Sequence, residues 1–306
     1  TKGETMRRVS TFETQKFEVE FEFGDVFTFH PIGDIHRESS LCSREKFKAW
    51  CDDRRKERDQ GKNNIFLGMG DYSDFASISE QYVFTNPKTH EQTIEDTLDR
   101  VAMENTDNLM KEMNFINKKN CIGMMEGNHY WTLSKPKVTT TQYMCQALDV
   151  PYLGLMCVIR LIFKHKKDKS NSMAIVIVAH HGRGGGRTLG VSVNHVSDLK
   201  NIFPDGDIYV MGDDHKKWTY STSRLTLSKN YDRYGRPIVR NKKTILCRSG
   251  GFLRGYVPGK QSYIAQKALP PTDIGAAKIN IIPKLIRYSE GGRTFKEREI
   301  YLEGIS

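Results

Sequence analysis

Five times along this chain a short apolar run stops and gives way at once to Asp, Asn or His. The five junctions are Gly33-Asp34-Ile35-His36, Gly70-Asp71-Tyr72-Ser73-Asp74, Gly127-Asn128-His129-Tyr130, His180-His181-Gly182 and Gly212-Asp213-Asp214-His215. A short apolar run bounded by turn residues reads as a buried strand. Such a strand fixes its last residue, and the loop beyond leaves the next side chain free to face a cleft. Five such ends side by side would bring carboxylates, an amide and imidazoles to one point on a sheet rim. That donor set suits a hard or borderline divalent ion such as Mn²⁺, Zn²⁺ or Fe.

The segments between the junctions supply the rest of the architecture. Residues 17–30 alternate apolar and polar side chains, which predicts strands leading into a turn at Pro31. Residues 43–59 read as a helix stopped by Gly61, and residues 64–69 as a short strand. Residues 89–117 fit one long or two shorter helices, residues 121–125 a strand, and residues 139–148 a helix. Residues 157–163 and 174–179 form a hairpin around the basic turn 164–171. A helix over 193–202, opened by Asn194 and His195 as capping residues, leads to a strand over 207–211. From Trp218 onward the chain reads as β, with turns at Tyr234-Gly235 and Gly250-Gly251. The expected class is α/β, a sandwich of mixed sheets flanked by helices. With no repeat and no low-complexity linker, residues 1–306 are expected to form a single domain, of which 216–306 is the β-rich C-terminal part.

Composition narrows the partners. Apolar content of 38% and charged content of 27% belong to a globular chain. The net charge of +10 favours polyanions, by steering them and displacing their counterions. The six cysteines lack pairing motifs and point to a reducing interior. No apolar run approaches the roughly 20 residues that span a bilayer, and the first ten residues lack a signal-peptide core. A cytoplasmic protein with no membrane partner is the expectation.

In type and order the five junctions resemble the motifs of the calcineurin-like metallophosphoesterases. That family's pattern runs D-x-H, G-D-x-x-D or G-D-x-x-Y, G-N-H with an acid, a strand-end His, and G-H-x-H. The resemblance covers Gly33 to His215, about the first two thirds of the chain. It implies a metallophosphoesterase-type sandwich holding two divalent ions, with Mn favoured and Zn, Fe, Mg or Ni possible. Asp34, His36, Asp71 and His215 would hold the first ion. Asp71 would bridge to a second held by Asn128, His180 and Asp213. Aligning the family's H-x-P on residues 180–182 favours His180 over His181 as the ligand. The implied reaction is hydrolysis of a phosphate ester by metal-hydroxide attack on phosphorus, with His129 serving the leaving oxygen or the transition state.

Two residues depart from the pattern. Asp213 stands where the family has His, and is an adapted ligand or a change, natural or introduced, that weakens the site. Tyr130 stands where many members have an acid that orients the neighbouring imidazole, a role open to Asp74, Glu126 or Asp214.

The remaining signals concern substrate. Arg183 and Arg187 flank a glycine-rich stretch directly after the proposed ligand and can reach a substrate phosphate. Arg248 and Arg254 belong to an arginine-rich, aromatic-interleaved segment that suits nucleic acid. His30, His90 and His165 lie outside the junctions and read as structural or surface histidines. The reading is a phosphodiesterase or nuclease acting on nucleic acid or nucleotides. The alternatives are a phosphomonoesterase acting on phosphoprotein or a small ester, and a catalytically weakened binding or scaffold relative.

Overall fold

The computed structural model describes residues 9–75, 92–135, 137–168, 171–184, 186, 188–290 and 293–305. Arg187 and His90 lie outside the described residues. Two mixed sheets form the frame. In the seven-stranded sheet the order is β1 (Glu13–Phe21), β5 (Met156–His165), β6 (Ser172–His180), β7 (Ile208–Met211), β9 (Pro237–Gly251) and β10 (Gly275–Ala276), with β8 (Lys217–Tyr231) paired along β9. Here β6, β7 and β9 run parallel, and β5 and β6 form the expected antiparallel hairpin. In the five-stranded sheet the order is β12 (Arg293–Ile305), β11 (Lys278–Glu290), β2 (Phe27–Ile32), β3 (Asn63–Gly68) and β4 (Cys121–Met124), with β2, β3 and β4 parallel.

The sheets share one apolar core. Leu161, Ile177, Val210 and Ile245 of the larger sheet pack with Phe29, Ile65, Leu67 and Ile279 of the smaller. Helices α1 (Arg44–Asp59), α2 (Gln92–Glu112) and α3 (Thr140–Leu148) pack Phe47, Leu109 and Met144 into a second cluster with Phe66 and Cys121. Helix α4 (Leu189–Ile202) covers the outer face of the larger sheet, setting Val196 and Leu199 against Val178 and Tyr209. Helix, sheet, sheet and helix thus stack in layers, as the pattern of strands and helices predicts. All six cysteines are buried and free. Among the described residues, no helix is long and apolar enough to cross a membrane.

Several boundaries differ from those expected, each for a local reason. β2 continues through Pro31, because its ladder with β11 covers only Phe27–Phe29 and the missing N–H of Pro31 is needed by no neighbour there. α4 starts at Leu189, so Asn194 and His195 lie in its interior, not at its start. α2 ends at Glu112, short of residue 117. Gly250 and Gly251 finish β9, and Gly250 pairs with Ala276 of β10 where a turn was expected. α3 begins as its sequence suggests: Thr139 accepts from the Gln142 N–H while the Gln142 side chain accepts from the Thr139 N–H.

Candidate metal centre

The C-terminal ends of β2, β3 and β4 in one sheet and of β6 and β7 in the other meet at one rim. Short backbone bonds tie the loops that leave them. Asp34 N donates to Gly70 O at 3.0 Å, His36 N to Asp71 O at 3.1 Å, and Gly212 N to His181 O at 2.7 Å. Among the bonds that cross between the sheets is one from Asp213 N to Asp34 Oδ2 at 2.9 Å. Asp71 is the hub. Its Oδ1 accepts from Asn128 N at 2.8 Å and His129 N at 2.9 Å, and its Oδ2 lies 3.6 Å from His36 Nε2 and 3.5 Å from His181 Nε2. The G-N-H glycine makes this approach possible: a Cβ on Gly127 would sit 2.0 Å from Asp71 Oδ1.

Backbone strain concentrates at the same rim. Eight described non-glycine residues have left-handed φ, and five of them are Asp34, His36, Asp71, Asp213 and His215. Such conformations cost on the order of 1–3 kcal/mol each for residues bearing a Cβ, and they cluster where a site over-determines them.

Three overlapping groups place ligand atoms within 4.8 Å of one another: Asp34, His36 and His215; His36, Asp71 and His129; and Asp34, Asp71 and His181. Four buried atoms in these groups have no hydrogen-bond partner: Asp34 Oδ1, His36 Nε2, His181 Nε2 and His215 Nδ1. Buried polar atoms are ordinarily satisfied, so convergent orphans of donor types suited to a divalent cation fit such an ion. The Asn128 side-chain amide lies against the same carboxylate, and with its nitrogen turned inward it donates to Asp71 Oδ2 at 2.7 Å.

The imidazoles are held from behind. His36 Nδ1 faces Asp74 Oδ1 at 3.0 Å and His181 Nδ1 faces the Met69 carbonyl at 2.7 Å, so each presents Nε2 to the cluster. His129 Nδ1 faces the Phe75 carbonyl at 2.9 Å, with Asp74 farther off at 3.9 Å. A backbone carbonyl therefore orients His129, and Asp74 serves His36 first. Glu126 is engaged by Thr139, Thr141 and Tyr152, and Asp214 by Ser192 and Arg248, so neither orients His129.

Proximity shifts the titrations. Burial alone would raise Asp71, but His181, with His36 and His129, outweighs burial and holds the carboxyl well below the usual range. Burial raises Asp34, with Asp71 and Asp213 adding to it. Burial pulls His36 down, and the Asp74 hydrogen bond together with the charges of Asp71, Asp74 and Asp34 more than reverses that. His215, buried and next to His36, is pushed down to about 3.

Asp34, His36, Asp71, Asn128, His129, Asp213 and His215 therefore lie together at this rim, whereas His180 does not join them. In β6, Ile175, Ile177 and Ala179 face the inter-sheet core, and His181 continues that parity. His180 follows Val176 and Val178 toward α4, and its Nδ1 accepts from Gly182 N at 2.8 Å. The position facing Asp71 belongs to His181. Arg183 is exposed and pairs with Asp198 of α4 at 2.9 Å. Arg254 is exposed, but Arg248 is fully buried, so it is no part of a nucleic-acid surface. Its contact with Gly212 and Asp214 had no signal in the sequence.

Compared with protein-family models the chain matches none, and no curated protein matches it.

Proposed function

We propose that this chain is a dimetal phosphoesterase of the calcineurin-like type. The observation that carries the reading is the convergence of orphaned, buried Asp and His atoms around Asp71 on a rim of strained backbone. Asp34, His36, Asp71 and His215 would hold one ion. Asp71, Asn128, His181 and Asp213 would hold the other. Ions bound there would supply Lewis acidity, lowering the pKa of water towards about 7 and neutralising phosphate charge.

The protein's own groups do the rest. Asp71, fixed by two backbone N–H groups, holds both halves of the site in register. His129, tied through Nδ1 to Phe75 O, keeps Nε2 for proton exchange with the leaving oxygen. The side chain of His129 is 29% exposed, against 4% for His36 and His181, so among these imidazoles it is the one solvent and substrate reach.

The substrate we favour is a phosphodiester of nucleic acid or a nucleotide, on the strength of charge. The hairpin β8–β9 starts two residues after His215. Between Lys217 and Lys243 it carries eight cations against one carboxylate, Asp232. Asp232 is used internally by Tyr234 N, Arg236 N and the Arg236 guanidinium. A polyanion lying over the cluster would run onto this hairpin. The test is a matrix of Mn²⁺, Mg²⁺, Zn²⁺ and Ni²⁺ against a chromogenic diester, a monoester, cyclic nucleotides and single- and double-stranded DNA. Diester cleavage with Mn²⁺ is expected. Dominant monoester turnover would move the assignment to a phosphomonoesterase, and no turnover in any metal would leave a binding protein.

A further inference from the structure

Arg248 is a charged side chain with no exposed surface, lying in β9 opposite Met211 of β7 and Trp218 of β8. A buried guanidinium is costly unless partners offset its charge. Here both partners belong to one turn. Nη1 donates to the Gly212 carbonyl, and Nε stands 3.3 Å from Asp214 Oδ2 as an ion pair without hydrogen-bond geometry, Nε and Nη2 having no hydrogen-bond partner. Gly212 precedes Asp213, and Asp214 lies between Asp213 and His215. Asp214 is also held from other sides: Ser192 Oγ of α4 donates to Oδ2, Trp218 Nε1 donates to Ser192 Oγ at 3.2 Å, and Lys216 N donates to Oδ1 at 3.1 Å.

We propose that Arg248 is a positioning residue of the metal centre, whose two-point grip on Gly212 and Asp214 sets the turn that presents Asp213 and His215. The inference rests on the metal-centre reading above. Asp213 and His215 have φ of 67° and 55°, which a free turn of non-glycine residues does not keep. Alternate residues of the turn serve opposite sides. Asp213 and His215 face the cluster, while Gly212 O and Asp214 are anchored from the α4 side. A planar guanidinium reaches a carbonyl and a carboxylate at once in fixed geometry, whereas an ammonium of equal charge does not.

Isothermal titration with Mn²⁺ alone, on the full chain, separates this role from a structural ion pair. Arg248→Lys keeps the charge, so the general attraction for cations is unchanged and only the two-point grip is lost. Its Mn²⁺ affinity is expected to fall about 10–100-fold, the effect typical of removing a group that orients a ligand. Ser192→Ala, which loosens Asp214 alone, should lose a smaller factor. Arg248→Lys with wild-type Mn²⁺ affinity, whatever its melting temperature, overturns the proposal. If that variant does not fold, Ser192→Ala decides, and wild-type affinity there overturns it equally. Wild-type protein that takes up no Mn²⁺ would instead overturn the metal centre on which the inference rests.

Discussion

One backbone step separates His180 from His181, and in a strand one step is a change of face. His181 shares its face with the inter-sheet core and aims Nε2 at Asp71, while His180 serves the α4 side. His181→Ala should therefore abolish one Mn²⁺ site and cut diester turnover at least ~100-fold, on the scale of losing a ligand or its support. His180→Ala should keep both sites and most of the activity. Metal analysis and initial rates on the two variants check this, and the reverse ranking would return the ligand to His180. Asp213 is the second residue-scale question. Burial raises its carboxyl above the ordinary value, and Asp71 adds to that against the opposing His181. A neutral imidazole avoids that conflict, so Asp213→His is expected to raise Mn²⁺ or Zn²⁺ affinity in titrations. Weaker binding of every metal tested would show the carboxylate to be an adapted ligand.

At the scale of elements, parallel strand ends and their loops make the site, and the loops tolerate little. Gly127→Ala, placing a methyl against Asp71 Oδ1, should cost the site its metal while the melting temperature falls only modestly, a contrast that calorimetry and metal analysis resolve. β2 carries a separate sensor of acid. His30 is buried between Asn64, 3.2 Å from its Nε2, and the stacked Phe66 ring, and burial pushes it down to about 3. Between about pH 6.5 and 3 the unfolded chain binds a proton here that the native chain refuses. Stability should thus fall as pH falls through that window, by up to about 1.4 kcal/mol per pH unit from this group. His30→Gln keeps a donor for Asn64 without titrating, so its denaturant midpoints should decline less steeply below pH 6; an equal decline would remove His30 from the account. The elements also show how far sequence carries. The junction residues were legible because each follows a short apolar run, and the expected strands at 64–69, 121–125 and 207–211 match β3, β4 and β7 closely. The choice between His180 and His181 was not legible: β6 reads Ala-Ile-Val-Ile-Val-Ala before them, apolar on both faces, so alternation is silent. Arg248 misleads for the opposite reason, since an arginine among aromatics looks like surface until a buried carboxylate and carbonyl are found beside it.

For the whole molecule the relevant feature is how charge is distributed. The excess of +10 gathers largely on the β8–β9 hairpin that leaves the proposed metal centre. Several of its cations are already answered: Arg224 and Lys242 by Asp207, and Arg240 by Glu297. Arg236 is likewise answered by Asp232, which leaves Lys229 and Arg233 at the distal end best placed for phosphate. Their joint replacement by Ala should weaken DNA binding and flatten its salt dependence by about 1.5 log–log units, at roughly 0.7–0.9 per phosphate contact. Turnover of a small chromogenic diester should hardly change. A slope left intact would dissociate the hairpin from the substrate.

The central claim is that Asp71 joins two ions in one site, and Mn²⁺ stoichiometry on wild type and Asp71→Asn tests it most directly. Wild-type protein equilibrated with excess Mn²⁺ should hold about two ions per chain. Asp71→Asn, which weakens both positions together, should hold neither firmly and lose diester hydrolysis. A variant that keeps both ions and full turnover would contradict the account.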